Sequence, residues 1–330
     1  MDIKVFDTSI SLQGIVDSYT SFNFTSKYNQ KGCFTIKAPF NNTNKQLLVM
    51  DNIICADDKV GIIENVRCTL GETNSIIISG SDITNILSRR IVWDTVDFTG
   101  TVEDFLRKLV NDNVVTGTDR QISIIELAAR RGLTQTLSKQ VSYKNLYEVI
   151  NETALAFDLG VRMLFLPKQN KMQFDVYQGV QTDLVLSRSF DNVLTVDYIE
   201  SKKDYATIAK VGGQGEGTAR QFVTTGTGTG LNRYETFVDA KEIEITDSYT
   251  ANLTQKGNEV LSQKYLVQSL TATVDKNICD LVSLGDKVKL LDKELNLMLD
   301  TRITEIQEIY ESTGKTTNLT FGNAVPLIYK

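Results

Sequence analysis

The feature that constrains this chain most is a pair of alternating segments near its start. Residues 19–25 read Tyr-Thr-Ser-Phe-Asn-Phe-Thr and residues 33–37 read Cys-Phe-Thr-Ile-Lys, with apolar side chains at every second position from Phe22. Because successive side chains of a strand point to opposite faces, this pattern predicts an antiparallel hairpin with one buried face. Turn-forming residues connect the two segments, and Pro39 ends the second strand because proline cannot donate a ladder hydrogen bond.

Along the rest of the chain the predicted secondary structure changes twice, from strands to helices and back to strands. Strand-like segments recur at short intervals through residues 1–95, as is typical of a small barrel or sandwich. Residues 96–190 contain two amphipathic helices, the first capped by Thr101, the second capped by Ser142 and ended by Gly160. Strands dominate again over residues 191–330, with one helix expected near residues 251–266.

The sequence therefore predicts an α+β, mainly β fold. Residues 1–95 and 191–330 are expected to form two small β-barrel-like domains of similar topology, around an inserted α+β domain over residues 96–190. Part of the last segment is available to complete the first barrel. No direct sequence repeat links the two β segments.

Composition narrows the classes of function. The 330 residues include no histidine, which removes the commonest general base and the commonest metal ligand. The four cysteines do not have zinc-site spacing and are expected to be small buried side chains; they are Cys33, Cys55, Cys68 and Cys279. We predict no catalytic residue, cofactor or metal.

Charge and hydropathy exclude two further classes of partner. The net charge of −6 does not favour a nucleic-acid-binding surface, and no apolar run has the length of about 18 residues that a membrane span needs. The sequence therefore predicts no specific nucleic acid partner and no membrane insertion by this chain.

Two glycine-containing segments have a structural interpretation. The glycines of residues 212–217 precede the strand-forming residues Gln221-Phe222-Val223, whereas a dinucleotide site needs a helix at that point. A close-packed or flexible turn is therefore favoured there. Gly285 is expected to supply the positive φ of a tight turn, with Asp286 bonding its own backbone.

Four charged residues are candidates for contacts between subunits. They are Arg89, Arg90, Arg302 and Glu305, of which Arg302 and Glu305 are expected on opposite faces of one strand. A solvated surface position remains the alternative for each of them. The aspartates between residues 191 and 247 do not reveal a catalytic pair, although sequence alone does not give carboxylate separations.

Several short motifs follow one another in a fixed order. They are Tyr28-Asn29 with Gly32, then the segments 61–66, 76–82, 87–91, 212–220, 233–240, 284–288, 302–306 and 319–322. In this order they resemble the phage tail hub family, the baseplate hub and Tal-like N-terminal hub proteins of siphophages, myophages and tailocins. The resemblance covers most of the chain.

The resemblance implies a structural role at a tail tip. Hubs of this family are trimers in which each chain contributes two tube domains, so that three chains form a pseudo-sixfold ring. The implied partners are a distal tail or tail tube protein, a tape measure protein, and fibre or spike and receptor-binding proteins. The implied location is the virion tail tip or baseplate, assembled in the bacterial host cytoplasm. A distal tail or receptor-binding adaptor and, less favoured, a cell-wall-degrading tail enzyme remain alternatives.

Overall fold

The computed structural model describes residues 1–72, 74–264, 266–275, 278 and 281–322. The first part of the chain contains one short helix and seven strands: β1 (Ile3–Phe6), β2 (Leu12–Val16), β3 (Ser21–Lys27), β4 (Cys33–Pro39), α1 (Asn42–Leu47), β5 (Ile53–Ala56), β6 (Lys59–Thr69) and β7 (Ser75–Asp82). The strands pair antiparallel in the order β3-β4-β7-β6-β5-β1-β2.

The predicted hairpin is confirmed as β3 and β4. Its alternating apolar residues, Phe22, Phe24, Phe34 and Ile36, are all buried, and they form part of one hydrophobic core. The Phe24 and Phe34 rings lie opposite each other and stack with centroids 6.2 Å apart. The period of two in the sequence thus corresponds to one buried face of the sheet.

The next part is an α+β unit with its own sheets. It contains β8 (Val96–Thr101), α2 (Val102–Val110), β9 (Ile125–Leu127), β10 (Thr136–Val141), α3 (Leu146–Ala156), β11 (Gly160–Leu166) and β12 (Lys171–Tyr177). Thr101 caps α2 as predicted, accepting a hydrogen bond from the Asp104 amide at 3.1 Å. The core of this unit continues into the first strand set through residues such as Phe6 and Ile62.

The predicted ends of α3 are wrong. Asn145, not Ser142, caps the helix, because its side chain accepts hydrogen bonds from two amides of the first turn. At the other end Asp158 adopts the left-handed conformation (φ +55°) expected of Gly160. Gly160 instead begins β11.

A second inserted unit follows two further strands of the chain. The elements are β13 (Gln181–Leu186), β14 (Val193–Ser201), β15 (Ile208–Gly212), β16 (Phe222–Gly226), β17 (Glu235–Asp239) and α4 (Tyr249–Gln263). Strands β16, β15 and β17 form a separate sheet against which α4 packs, with Gly257 of the helix close to Thr225 and Val211. The sequence predicted α4 but placed these strands within the second β domain.

The last strands are β18 (Val267–Val274), β19 (Lys287–Asp292), β20 (Leu297–Glu311) and β21 (Gly314–Gly322). Together with β14 they pair antiparallel in the order β14-β18-β21-β20-β19, and β13 adds in parallel beside β19. This order repeats β3-β4-β7-β6-β5 strand for strand in both sequence order and pairing. The α+β, mainly β fold with two strand sets of similar topology is therefore confirmed.

Both strand sets belong to one sheet of 13 strands, because β20 pairs with β3. At this joint the Tyr310 ring stacks on Phe22 with centroids 5.8 Å apart, so a residue of the second set covers the first core. The domain boundaries expected at residues 95 and 190 stay predictions.

The expected burial of the cysteines is wrong for two of them. Cys33 and Cys68 are exposed and Cys55 is half-buried, while Cys279 lies outside the described residues. Cys33 occupies an outward position of the alternating strand β4. Cys68 lies in the part of β6 that is exposed on both faces.

Candidate functional site

Tyr28, in the connection of the predicted hairpin, lies where three parts of the chain meet. Its side chain is fully buried. Its hydroxyl donates a hydrogen bond to the Asp158 carbonyl and accepts one from the Gly179 amide, each at 3.3 Å. Its ring lies edge-on to Tyr177, with centroids 5.4 Å apart. Burial raises the pKa of Tyr28, and this effect exceeds the opposing influence of the Arg302 charge.

Two glycines make room for this tyrosine. A Cβ atom on Gly160 would lie 2.4 Å from the Tyr28 ring, and one on Gly285 would lie 2.3 Å from it. Gly285 also has φ +95°, so the predicted positive φ is confirmed. The Asp286 carboxylate accepts hydrogen bonds from the amides of Ser283 at 2.9 Å and of Val180 at 3.0 Å.

Arg302 closes the remaining side of Tyr28. Its guanidinium lies 4.9 Å from the ring centroid and donates hydrogen bonds to the Gly285 carbonyl and the Asp158 carboxylate. The Arg302 side chain is only 7% exposed. Contacts from the hairpin, the first inserted unit and the last strands therefore converge on one buried aromatic side chain.

Glu305 lies on the same groove as Arg302, so the prediction of opposite faces is wrong. A β-bulge between Ile303 and Glu305 adds a residue to the strand and reverses the alternation beyond it. Glu305 forms an ion pair with Lys27 at 3.1 Å. The alternation in the sequence did not predict this bulge, because no residue pattern in the strand indicates it.

The groove beside the Tyr28 junction has a volume of 880 Å³. Its floor is the outer face of the last strands, and the hairpin connection and the ends of α3 and α4 form its sides. Hydroxyl and amide side chains dominate the floor and bond one another across strands. The Asn318 amide donates to Gln307 at 2.9 Å, and the Thr271 and Thr320 hydroxyls lie 3.4 Å apart. Charged residues of both signs line it, so the groove has no single preference for anions or cations.

The two other predicted arginines are held within their own chain. Arg89 forms an ion pair with Asp51 at 2.5 Å, and Arg90 donates a hydrogen bond to the Arg120 carbonyl at 2.9 Å. They lie apart from the junction that contains Arg302. Subunit contacts by all four predicted residues stay predictions.

The glycine segment at residues 212–217 forms a packed turn. A Cβ atom on Gly213 would lie 2.2 Å from the Tyr249 hydroxyl, which accepts a hydrogen bond from the Gln214 amide at 2.6 Å. The segment leads into strand β16 after one short turn, as the strand-forming sequence predicts. Among the described residues, no cluster of three or more acidic or cysteine side chains could hold a metal ion. None of the helices in the described ranges combines the length and the apolar character of a membrane crossing.

The arrangement as a whole is shared with solved phage tail proteins. A prophage tail protein, gp18, of Listeria monocytogenes matches with a TM-score of 0.59 and 14% identity, over 100% of this chain and 97% of its own. A tail protein of Neisseria meningitidis matches with a TM-score of 0.60 and 15% identity, over 98% and 96%. The 43 kDa tail protein of prophage MuSo2 from Shewanella oneidensis matches with a TM-score of 0.59 and 10% identity, over 98% of each chain. The chain therefore has the fold of phage tail proteins.

The sequence itself identifies the family. Residues 2–323 match the model of the siphovirus ReqiPepy6 Gp37-like proteins, so the chain belongs to that family. Comparison with curated protein sequences yields no match. The resemblance to phage tail proteins seen in the ordered motifs is confirmed.

Proposed function

We propose that this chain is a structural hub protein at the tip of a phage tail or phage-tail-like particle. One observation supports the proposal most: the two strand sets have the same strand order and are joined edge to edge through β3 and β20. A chain with two equivalent units in a row occupies two neighbouring positions of a ring. Three such chains then supply six near-equivalent positions, which suits the docking of a threefold tip onto a sixfold tube.

The proposed role is mechanical. The Tyr28 junction holds the first strand set, the first inserted unit and the last strands in a fixed relation, so the two ring units keep one relative orientation. The proposed partners are a distal tail or tail tube protein, a tape measure protein, and fibre or receptor-binding proteins, with the two inserted units outside the sheet path available to carry them. The role requires no catalysis, and the protein is assembled into particles in the host cytoplasm.

The oligomeric mass of the purified full chain tests the proposal. Sedimentation equilibrium over a range of concentrations should give three times the chain mass, and negative-stain images should show rings with six lobes. A stable dimer, or a single-chain mass at every concentration, would count against the trimer. Immunogold labelling of purified particles should place the protein at the end of the tail distal to the head; labelling along the tail or at the head would contradict the location.

A further inference from the structure

The equivalence of the two strand sets extends to single residues. Strand β6 has a bulge between Ile63 and Asn65 in its pairing with β7, and β20 has a bulge between Ile303 and Glu305 in its pairing with β21. Ile63 therefore corresponds to Ile303, and Asn65 to Glu305. Following the pairings across each set makes β14 the equivalent of β3.

The two sets differ in the cover on the strand beyond the bulge. In the second set, residues 305–311 of β20 pair with β3. In the first set, β6 continues past the bulge beside β7, and none of the other described strands covers its outer edge. Every residue from Asn65 to Thr69 is exposed, although residues 59–63 of the same strand are buried. Val66 is 36% exposed and Leu70 is 65% exposed.

The strand that the equivalence assigns to this edge is β14. It is nine residues long, contains no proline, and among the described strands pairs with β18 alone. It lies at one end of the sheet path, and β6 lies seven strands away along that path. An edge of this length is a template for a further strand unless something covers it.

We propose that β6 of one copy pairs antiparallel with β14 of a second copy, repeating between chains the β3–β20 joint within each chain. The proposal rests on the ring described under the proposed function and names its interface. Asn65 corresponds to Glu305, and Ser201 of β14 corresponds to Lys27 of β3. Because Glu305 pairs with Lys27 within the chain, Asn65 pairs with Ser201 of the neighbouring copy. The same register places Cys68 opposite Tyr198, and it places Leu70, the residue that follows β6, opposite Val196.

The side chains suit this register. Leu70 opposite Val196 takes the place of Tyr310 opposite Phe22, the stacked pair at the joint within the chain. Apolar pairs of this kind stabilise adjacent strands. The contact is heterologous, because an edge of the first set meets an edge of the second set. Such a contact closes into a ring when the rotation between copies allows it.

A disulfide test reads the register directly. Directly opposed residues of antiparallel strands have Cα atoms about 4.5–5.5 Å apart, within the range that a disulfide spans. The full chain would keep its native Cys68, carry serine at the other three cysteines, and carry Tyr198→Cys. The matched control is Ile199→Cys, since a shift of one residue turns the side chain to the other face of the sheet.

Mild oxidation should convert Tyr198→Cys into a covalent trimer on a non-reducing gel, while Ile199→Cys stays as single chains. A trimer in solution that Tyr198→Cys does not cross-link, or that both variants cross-link equally, would overturn the proposed interface and leave the hub trimer standing. A single-chain mass for the unmodified protein at every concentration would overturn the trimer itself, and with it this contact.

A second variant guards against misfolding of the cysteine variants. Leu70→Asp changes a side chain that is exposed in the single chain, so the fold of the chain should be unaffected by circular dichroism. The trimer should dissociate at concentrations at least tenfold higher than those at which the unmodified protein dissociates. The control is Ile15→Asp, at another exposed residue (43%) on strand β2, which should leave the dissociation unchanged. Equal effects of the two substitutions would contradict the assignment of β6.

Discussion

Gly285→Ala should destabilise the protein through two separable effects at the Tyr28 junction. The residue has φ +95°, a conformation that costs an alanine about 1–2 kcal/mol. The new Cβ would also lie 2.3, 2.6 and 3.0 Å from three atoms of the Tyr28 ring. Because the ring is buried against Tyr177 and Arg302, it cannot swing away, and overpacking of this kind costs about 1–3 kcal/mol. The expected total is a loss of about 2–5 kcal/mol.

Gly132→Ala separates the two effects. Gly132 also has a positive φ (+73°), but nothing lies within 4 Å of a Cβ built on it. Its loss should be the conformational cost alone, about 1–2 kcal/mol. Urea unfolding followed by circular dichroism, at one fixed protein concentration, gives the free energy of unfolding for each variant.

A double-mutant cycle then tests the cause. Tyr28→Ala alone should cost about 3–5 kcal/mol, as for other buried aromatic side chains. In that background Gly285→Ala should cost only the conformational part, about 1–2 kcal/mol, because the ring is gone. If Gly285→Ala and Gly132→Ala lose the same free energy, or if the cost at Gly285 is unchanged without the Tyr28 ring, the close approach does not limit this site.

Two further predictions concern charged side chains. Lys139→Met should lower the free energy of unfolding by about 3–5 kcal/mol, because Glu259, 3% exposed and 2.5 Å from the ammonium group, would be buried without its cation. Adding Glu259→Leu should recover much of that loss. The control is Lys144→Met at a half-exposed ion pair, which should change stability by about 1 kcal/mol or less. Burial raises the pKa of Asp82, so the folded state binds the Asp82 proton more readily than the unfolded state, and the free energy of unfolding should fall as pH rises through that raised pKa. Asp82→Asn should remove this part of the slope in unfolding midpoints measured from acidic to neutral pH, and an unchanged slope would assign it to other groups.

The sequence by itself determined the local features of this protein. The alternation through Phe22, Phe24, Phe34 and Ile36 specifies which face of the hairpin is buried, because the side-chain period of a strand is two. The Gly285 turn is local in the same sense, since only glycine adopts its φ at little cost. The ordered motifs sufficed to recognise a phage tail protein, although its two strand sets share no visible sequence repeat.

Only the tertiary structure decided how these local features combine. Strand β3 pairs with β20, and Gly160, Gly285 and Arg302 all contact Tyr28. These contacts join residues that are far apart in sequence, and the periodicity of a single segment does not indicate its distant partners. The separate β15–β17 sheet was missed for the same reason, because a strand pattern shows that a strand exists and not which sheet it enters. The bulge in β20 placed Glu305 beside Arg302, since one added residue reverses the alternation on which a sequence-based assignment of faces depends.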